Sequence, residues 1–235
     1  MAKPKTSDQE KARGPLGCLR RIVRFTFFAV FGYFLACTFL LVAYRFVDPP
    51  ITTVHIQRMV EGLGPGVEFS YAPVPIEAID EDVQHAVVAS EDARFYDHNG
   101  LDWVEIENAR EDSQRRGTSP RGASTITQQL VKNLFLTTHR SWVRKGVEVP
   151  LAYLADFILP KERILTLYLN VVEWGPGVFG IEEAARYHYG VSAGGLSRNQ
   201  AARLAVCLPS PRDRRPQNMG ASARRIERRM RQMGW

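Results

Sequence analysis

The sequence lacks charge over one long stretch, because no Asp, Glu, Lys or Arg occurs from Phe25 to Tyr44. A helix that rises about 1.5 Å per residue would cross about one bilayer core over this length. A buried core helix is rarely apolar on every side for so long, and a signal peptide has a shorter apolar region that ends in a small-residue cleavage site. The sequence therefore favours an uncleaved transmembrane helix over residues 25–47.

Positive charge precedes this helix, with seven Lys or Arg residues against two acidic residues in residues 1–24. The positive-inside rule predicts that residues 1–24 are cytoplasmic and that residues 48–235 form a domain on the other side. The net charge of +6 is compatible with a nucleic-acid partner. A domain outside the cytoplasm would not meet nucleic acid, however, so a surface near anionic lipid headgroups is the better explanation.

Cysteine is also scarce, with three residues in the chain. Cys18, Cys37 and Cys207 are predicted to lie in the cytoplasm, the membrane and the outer domain, which excludes an intrachain disulfide. No Cys-x-x-Cys pair or Cys/His cluster occurs, so the sequence predicts no structural metal site.

Long alternations of apolar and polar residues are absent, so the outer domain is expected to be mostly α-helical. The polar run from Glu111 to Arg121 contains Gly117 and Pro120 and is predicted to be a surface loop. Further helices are expected over Ile51–Glu61, after Asp80, from Ser124 or Thr125, and over Ser141–Asp156 with a kink at Pro150.

Two glutamates, Glu91 and Glu148, occur in motifs rich in charge and suggest acid/base chemistry on an anionic substrate. Val83, Val87 and Glu91 follow each other at four-residue spacing, so Glu91 ends an apolar helix face. Partial desolvation there would raise its pKa and make it a better base. On the helix after Ser124, the residues Gln128, Gln129 and Lys132 are expected to share a polar face.

Five sequence blocks occur in a fixed order between Val83 and Pro211. They are Glu91-Asp92-x-x-Phe95-x-x-His98-x-Gly100, Gly122-x-Ser124-Thr125-Ile126-Thr127-Gln128-Gln129, Lys132-Asn133, Arg144-Lys145-x-x-Glu148, and Tyr168-Leu169-Asn170 before Gly180-Ile181. The pattern resembles the glycosyltransferase domain of peptidoglycan polymerases, the family 51 transglycosylases, and especially their monofunctional membrane-anchored members. The resemblance implies a lysozyme-like α-helical head with a small membrane-associated jaw.

The resemblance also implies the reaction, in which lipid II is joined to a growing lipid-linked glycan with inversion and release of undecaprenyl diphosphate. Glu91 matches the family's base, and Glu148 matches a second essential glutamate that assists departure of the diphosphate or orients the cations around it. The implied substrate-binding residues are the cations Lys132, Arg140, Arg144 and Lys145 and the polar residues Ser124 and Gln129.

The family comparison implies no required cofactor and leaves open whether Mg²⁺ or Mn²⁺ assists. The implied partners are lipid II, the lipid-linked glycan and the membrane, and transpeptidases and division or elongation proteins are the protein classes to consider. The implied location is the bacterial inner membrane, with a cytoplasmic N-terminus and a periplasmic catalytic domain.

Two other functions remain open, a lytic enzyme with a lysozyme-like fold and an inactive scaffold module. The cations near the glutamates argue against hydrolysis of a neutral glycan, and the intact glutamates argue against a scaffold. The chain is too short for a bifunctional penicillin-binding protein, and it has neither Ser-x-x-Lys nor Lys-Thr-Gly. Arg144 and Glu148 are also compatible with an ordinary helix-surface pair, and His98 with a hydrogen-bonded loop residue.

Overall fold

The structure, a computed structural model, describes residues 15–64, 66–118, 122–139 and 141–235. Two compact units are present, one that ends at Leu40 and one that comprises Leu41–Trp235. The mostly α-helical class is confirmed. The described residues form the helices α1 Pro15–Tyr44, α2 Thr53–Glu61, α3 Glu81–Glu91, α4 Trp103–Arg116, α5 Ile126–Phe135, α6 Trp142–Ile158, α7 Lys161–Val171, α8 Ile181–Tyr189, α9 Arg198–Cys207 and α10 Gly220–Gln232.

Helix α1 contains the predicted apolar stretch. Among the described residues it is the one helix that is long and apolar enough to cross a membrane, over Gly17–Tyr44, with a mean hydropathy of 2.2 in its most apolar window. Large side chains such as Phe25, Phe28 and Phe31 are exposed along it. This is consistent with a single-pass membrane anchor. All three cysteines of the chain are free, as the sequence predicts.

The helices of the larger unit pack mainly in two groups. Helix α9 packs against α3 and α10, and α5 packs against α6, α7 and α2. The apolar faces predicted from the sequence are buried at these contacts, including Val83 and Val87 on α3 and Leu130 and Val131 on α5. Burial of such side chains supplies the main favourable free energy of folding.

The predicted loop over Glu111–Arg121 is wrong in its first half, because α4 continues to Arg116. Its residues have good helix propensity, and ion pairs such as Glu111 with Arg115 add i,i+4 contacts along its surface. Gly117 ends the helix with a φ of 62°. Residues 119–121 lie outside the described part of the chain.

A small sheet was missed by the prediction from sequence. Its strands are β1 Ser70–Tyr71, β2 Glu173–Gly175 and β3 Val178–Phe179, in the order β1-β3-β2. The strand β3 pairs parallel with β1 and antiparallel with β2. Strands of two or three residues are too short to produce an alternating pattern, so periodicity cannot reveal them.

Gly100 lies in the loop between α3 and α4, close to the backbone of α6. Its φ is 75°, and a Cβ atom at this position would lie 2.9 Å from the carbonyl oxygen of Ala152. Only glycine adopts this conformation and this contact without strain.

We expect Gly100→Ala to lower the free energy of unfolding by about 2–4 kcal/mol, since it adds both left-handed backbone strain and a steric overlap. Urea unfolding in detergent, followed by tryptophan fluorescence, measures this change. Gly117→Ala is the matched control, because Gly117 has a φ of 62° and no atom within 4 Å of the added Cβ. Its cost should be about 1 kcal/mol, and equal costs for both variants would contradict the steric argument.

Candidate active site

Glu91 lies at the C-terminal end of α3, where the apolar face of this helix ends. Asp80 caps the helix by accepting a hydrogen bond from the backbone N–H of Asp82 at 2.8 Å. The Oε2 atom of Glu91 accepts a hydrogen bond from Nε2 of Gln129 at 2.9 Å, and its Oε1 atom accepts a longer one from Ser90 at 3.4 Å.

Burial raises the pKa of Glu91, as the sequence predicts. The two hydrogen bonds and the positive charges of Lys132 and Arg214 oppose this effect because they favour the ionised form. A carboxylate with a raised pKa and a polar contact to a neighbouring helix is suited to accept a proton.

Gln129 reaches Glu91 because of the way that α5 begins. Thr125 caps the helix in a capping box with Gln128, in which each side chain contacts the other residue's backbone N–H at 3.1 Å. Gln128 is therefore buried, and its side chain is hydrogen-bonded to the helix terminus. It still lines the same cavity as Gln129 and Lys132, as their spacing predicts. The next residue, Gln129, extends toward α3.

Glu148 lies at the centre of a cluster of cations. Only 2% of this residue is exposed, although the Arg144-to-Glu148 spacing also fits an ordinary surface pair. Its carboxylate accepts a hydrogen bond from Arg144 at 2.5 Å and another from Lys145. Lys145 also donates to Oγ of Ser124 at 3.1 Å. Helix α6 runs through Pro150 without interruption, so the proline leaves this arrangement in place.

Lys132 differs from the other cations, because it forms no hydrogen bond or salt bridge within the described residues. Burial lowers its pKa, and the charges of Arg144 and Lys145 act in the same direction. The carboxylates of Glu148 and Glu91 oppose the shift. A largely desolvated ammonium that has no direct partner within the described residues is a favourable position for a negatively charged group.

Two adjacent cavities contain the predicted site residues. The larger has a volume of about 380 Å³ and is lined by Ser124, Gln129, Lys132, Arg144, Lys145 and Glu148 among others. The smaller, of about 180 Å³, is lined by Glu91 and again by Ser124. Glu91 lines the smaller cavity and Gln129 lines the larger one, and the hydrogen bond between them connects the two linings. Arg140, the remaining predicted cation, lies outside the described residues.

Arg58 and Glu173 also line the larger cavity, and no sequence motif predicts either as a site residue. Glu173 is 4% exposed and accepts a hydrogen bond from Nε of Arg58 at 3.0 Å. Burial raises the pKa of Glu173, while Arg58 and Arg212 oppose the shift. The partners are 115 positions apart, so local spacing could not pair them.

Asp92, His98 and Asp102 bring three potential metal-ligand atoms within 4.8 Å of one another. Most of their polar atoms already form hydrogen bonds inside the protein, and Nδ1 of His98 is the exception, being buried without a partner within the described residues. Nε2 of His98 lies 3.0 Å from both oxygens of Asp92, and the N–H of Ile126 donates to the same carboxylate at 3.0 Å. Asp102 caps α4 by accepting from the N–H of Glu105 at 2.9 Å. This arrangement fits a structural network, as expected for His98, better than an ion site.

Comparison with known proteins agrees with this geometry. A family model described as Transglycosylase matches residues 60–234. Relatives named biosynthetic peptidoglycan transglycosylase occur in Bordetella pertussis, with 50% identity over 74% of each chain, and in Chromohalobacter salexigens, with 45% identity over 92% of this chain and 94% of the relative. A third, from Pseudomonas fluorescens, is 47% identical over 76% of this chain and 75% of its own. The chain belongs to the transglycosylase family and is therefore an enzyme.

We expect Glu148→Gln to lower the free energy of unfolding by about 1–3 kcal/mol, because it leaves two cations without their buried partner. The estimate is moderate since 17% of the Arg144 side chain and 37% of the Lys145 side chain remain exposed and can be rehydrated. Urea unfolding in detergent measures the change. Glu107→Gln removes an exposed pair with Arg110 and should cause no measurable loss. If Glu148→Gln lowers the free energy of unfolding as little as Glu107→Gln does, the ion pairs of Glu148 do not stabilise the protein.

Proposed function

We propose that the chain is a peptidoglycan glycosyltransferase that joins lipid II to a lipid-linked glycan through β-1,4 bonds. The observation that carries this proposal is the position of a partly desolvated glutamate, Glu91, beside a cavity in which three cations lie around a second glutamate. The names of the relatives support the same substrate class. A lytic enzyme that cleaves neutral glycan has no comparable need for the cations.

Glu91 would act on the acceptor. Its carboxylate takes the proton of the acceptor sugar's hydroxyl group as that oxygen attacks the anomeric carbon of the donor. The new C–O bond forms on the face opposite the breaking bond, so an α-linked donor gives a β-linked product. The smaller cavity provides space for the acceptor hydroxyl next to Glu91.

The larger cavity would receive the leaving group. The bond between the anomeric carbon and the diphosphate breaks, and negative charge develops on the phosphate oxygen. Lys132, Arg144 and Lys145 stabilise this charge, with Ser124 and Gln129 as neutral contacts. Arg140 is proposed as a further cation because of its place in the sequence pattern. Glu148 orients Arg144 and Lys145 through its two hydrogen bonds.

The proposed displacement needs no cofactor, because the donor's diphosphate is itself a good leaving group. Addition of Mg²⁺ or Mn²⁺ is expected to change the rate only through the charge of that diphosphate. The partners are thus lipid II, the lipid-linked glycan and the membrane, and a transpeptidase is the class of protein that would cross-link the product.

We further propose that residues 1–24 are cytoplasmic, residues 25–47 cross the bacterial inner membrane, and residues 48–235 lie in the periplasm. The long apolar helix α1 and the basic residues that precede its apolar stretch support this topology. A membrane anchor would keep the enzyme at the surface where its lipid-linked substrates are found.

Glu91→Gln should reduce polymerisation of lipid II by at least about 100-fold, since the amide cannot accept the proton. Purified full-length protein in detergent, with labelled lipid II and separation of the glycan products by size, measures this loss. Glu81→Gln is the matched control, because Glu81 is an exposed residue in the first turn of the same helix. This control should retain the rate of the unaltered protein.

Normal polymer formation by Glu91→Gln would refute its assignment as the base. Release of soluble sugars from finished peptidoglycan, without polymer from lipid II, would favour the lytic enzyme instead. If the unaltered protein shows neither activity, the result would favour a scaffold.

The topology can be tested with the cysteines that the chain already has. Cys18 is exposed on α1, whereas Cys37 and Cys207 are buried. A membrane-impermeant maleimide should therefore label Cys18 only after spheroplasts are permeabilised. Gln114→Cys places a thiol on the exposed surface of α4 and should be labelled in intact spheroplasts. Labelling of Cys18 in intact spheroplasts would reverse the proposed orientation.

A further inference from the structure

We propose that Tyr168 is a positioning residue for Glu91, which acts by fixing the orientation of the Gln129 side-chain amide. This inference rests on the proposed role of Glu91 as the base. The sequence pattern around Tyr168 indicated only a core residue, because its neighbours on α7 are apolar.

Three side chains from three helices form a continuous chain of hydrogen bonds. The hydroxyl of Tyr168 on α7 donates to Oε1 of Gln129 on α5 at 3.1 Å. Nε2 of the same amide donates to Oε2 of Glu91 at the end of α3, at 2.9 Å. Tyr168 is fully buried, and its hydroxyl has no other partner among the described residues. Burial also raises its pKa, so the phenol keeps the proton that it donates.

The amide of Gln129 has a donor end and an acceptor end, so its orientation decides what Glu91 encounters. In the observed orientation, an N–H faces the carboxylate. The opposite orientation would place a carbonyl oxygen against the ionised carboxylate, and it would leave the hydrogen of Tyr168 without an acceptor. The phenol therefore favours the orientation that supports the ionised form of Glu91.

Apart from Ser90, the other groups around Glu91 act through charge rather than through hydrogen bonds. Lys132 on α5 and Arg214 after α9 favour its ionised form. Asp92, the next residue, is occupied by His98 and by the start of α5. Across the smaller cavity lie the remaining charged groups, Arg94, Asp102, Glu105 and Arg229. Besides the amide of Gln129, only Ser90 donates to Glu91 within the described residues, at 3.4 Å. The Gln129 N–H is thus the main hydrogen bond to the proposed base.

Tyr168→Phe removes the hydroxyl and retains the ring, so the amide is free to rotate. Loss of the N–H contact disfavours the ionised carboxylate, and the pKa of Glu91 should rise. The low-pH limb of the profile of kcat/KM against pH should move by about one unit to higher pH, so that kcat/KM at a fixed pH on this limb falls roughly tenfold while the plateau at higher pH changes less. The rate of lipid II polymerisation by the full chain in detergent, measured from about pH 4 to about pH 9, gives both the position of this limb and kcat/KM.

Tyr189→Phe is the matched control, because the hydroxyl of Tyr189 is buried without a hydrogen-bond partner. It removes the same atom from a half-buried tyrosine outside the proposed site, and its pH profile should equal that of the unaltered protein. Gln129→Met should by itself reproduce the shift, since it removes the donor directly. Adding Tyr168→Phe to Gln129→Met should then cause no further shift.

A purely structural role for Tyr168 predicts a different result, namely lower activity with an unchanged pH profile, and this would overturn the inference. The inference would also be overturned if the pH shifts of Tyr168→Phe and Gln129→Met added fully in the double variant. If Tyr168→Phe does not fold, as judged by its circular dichroism, an unshifted profile for Gln129→Met alone overturns the inference. An active Glu91→Gln variant would instead refute the proposed function on which the inference rests.

Discussion

The carboxylate of Asp92 is the interaction on which the arrangement of the site depends. It binds Nε2 of His98 through both oxygens, and it accepts the N–H of Ile126 at the start of α5, each at 3.0 Å. Only 3% of its side chain is exposed, so these bonds form in surroundings of low polarity, where bonds to a charged group are strong. Glu91 precedes Asp92, and Gln129 is one turn after Ile126. One carboxylate thus sets the distance between the proposed base and its amide partner.

The loop after α3 extends this constraint to the other helices. Oγ1 of Thr125 donates to the carbonyl of Gly100 at 2.6 Å, and Gly100 itself packs against the backbone of α6. Nζ of Lys161, at the start of α7, donates to the carbonyl of His98 at 2.5 Å. The helices that carry Gln129, Glu148 and Tyr168 are therefore held to the same loop. Groups placed on packed helices keep their geometry better than groups on mobile loops.

The extent to which the sequence predicts this structure depends on how local each signal is. The burial of Glu91 could be predicted, because the Asp80 cap and the apolar face belong to one helix. The end of α4 could not, since Gly117 and nearby polar residues occur in loops and at helix ends alike. The shared face of Gln128, Gln129 and Lys132 could also be predicted, because their spacing places them on one side of α5. The contact between Arg58 and Glu173 depends on the folded chain, and no short motif encodes it.

Glu148 has a consequence for product release. A pocket in which every cation faced the cavity unopposed would hold a departing diphosphate as firmly as it holds the bound donor, and turnover would stall. The carboxylate of Glu148 is part of the protein and already pairs with Arg144 and Lys145. The diphosphate of the proposed reaction would therefore compete with this carboxylate for both cations. In the proposed reaction, the same carboxylate would pair with Arg144 and Lys145 again once the diphosphate leaves. On the proposed function, the ion pairs of Glu148 would therefore lower the affinity of the site for the diphosphate product and favour its release in each catalytic cycle.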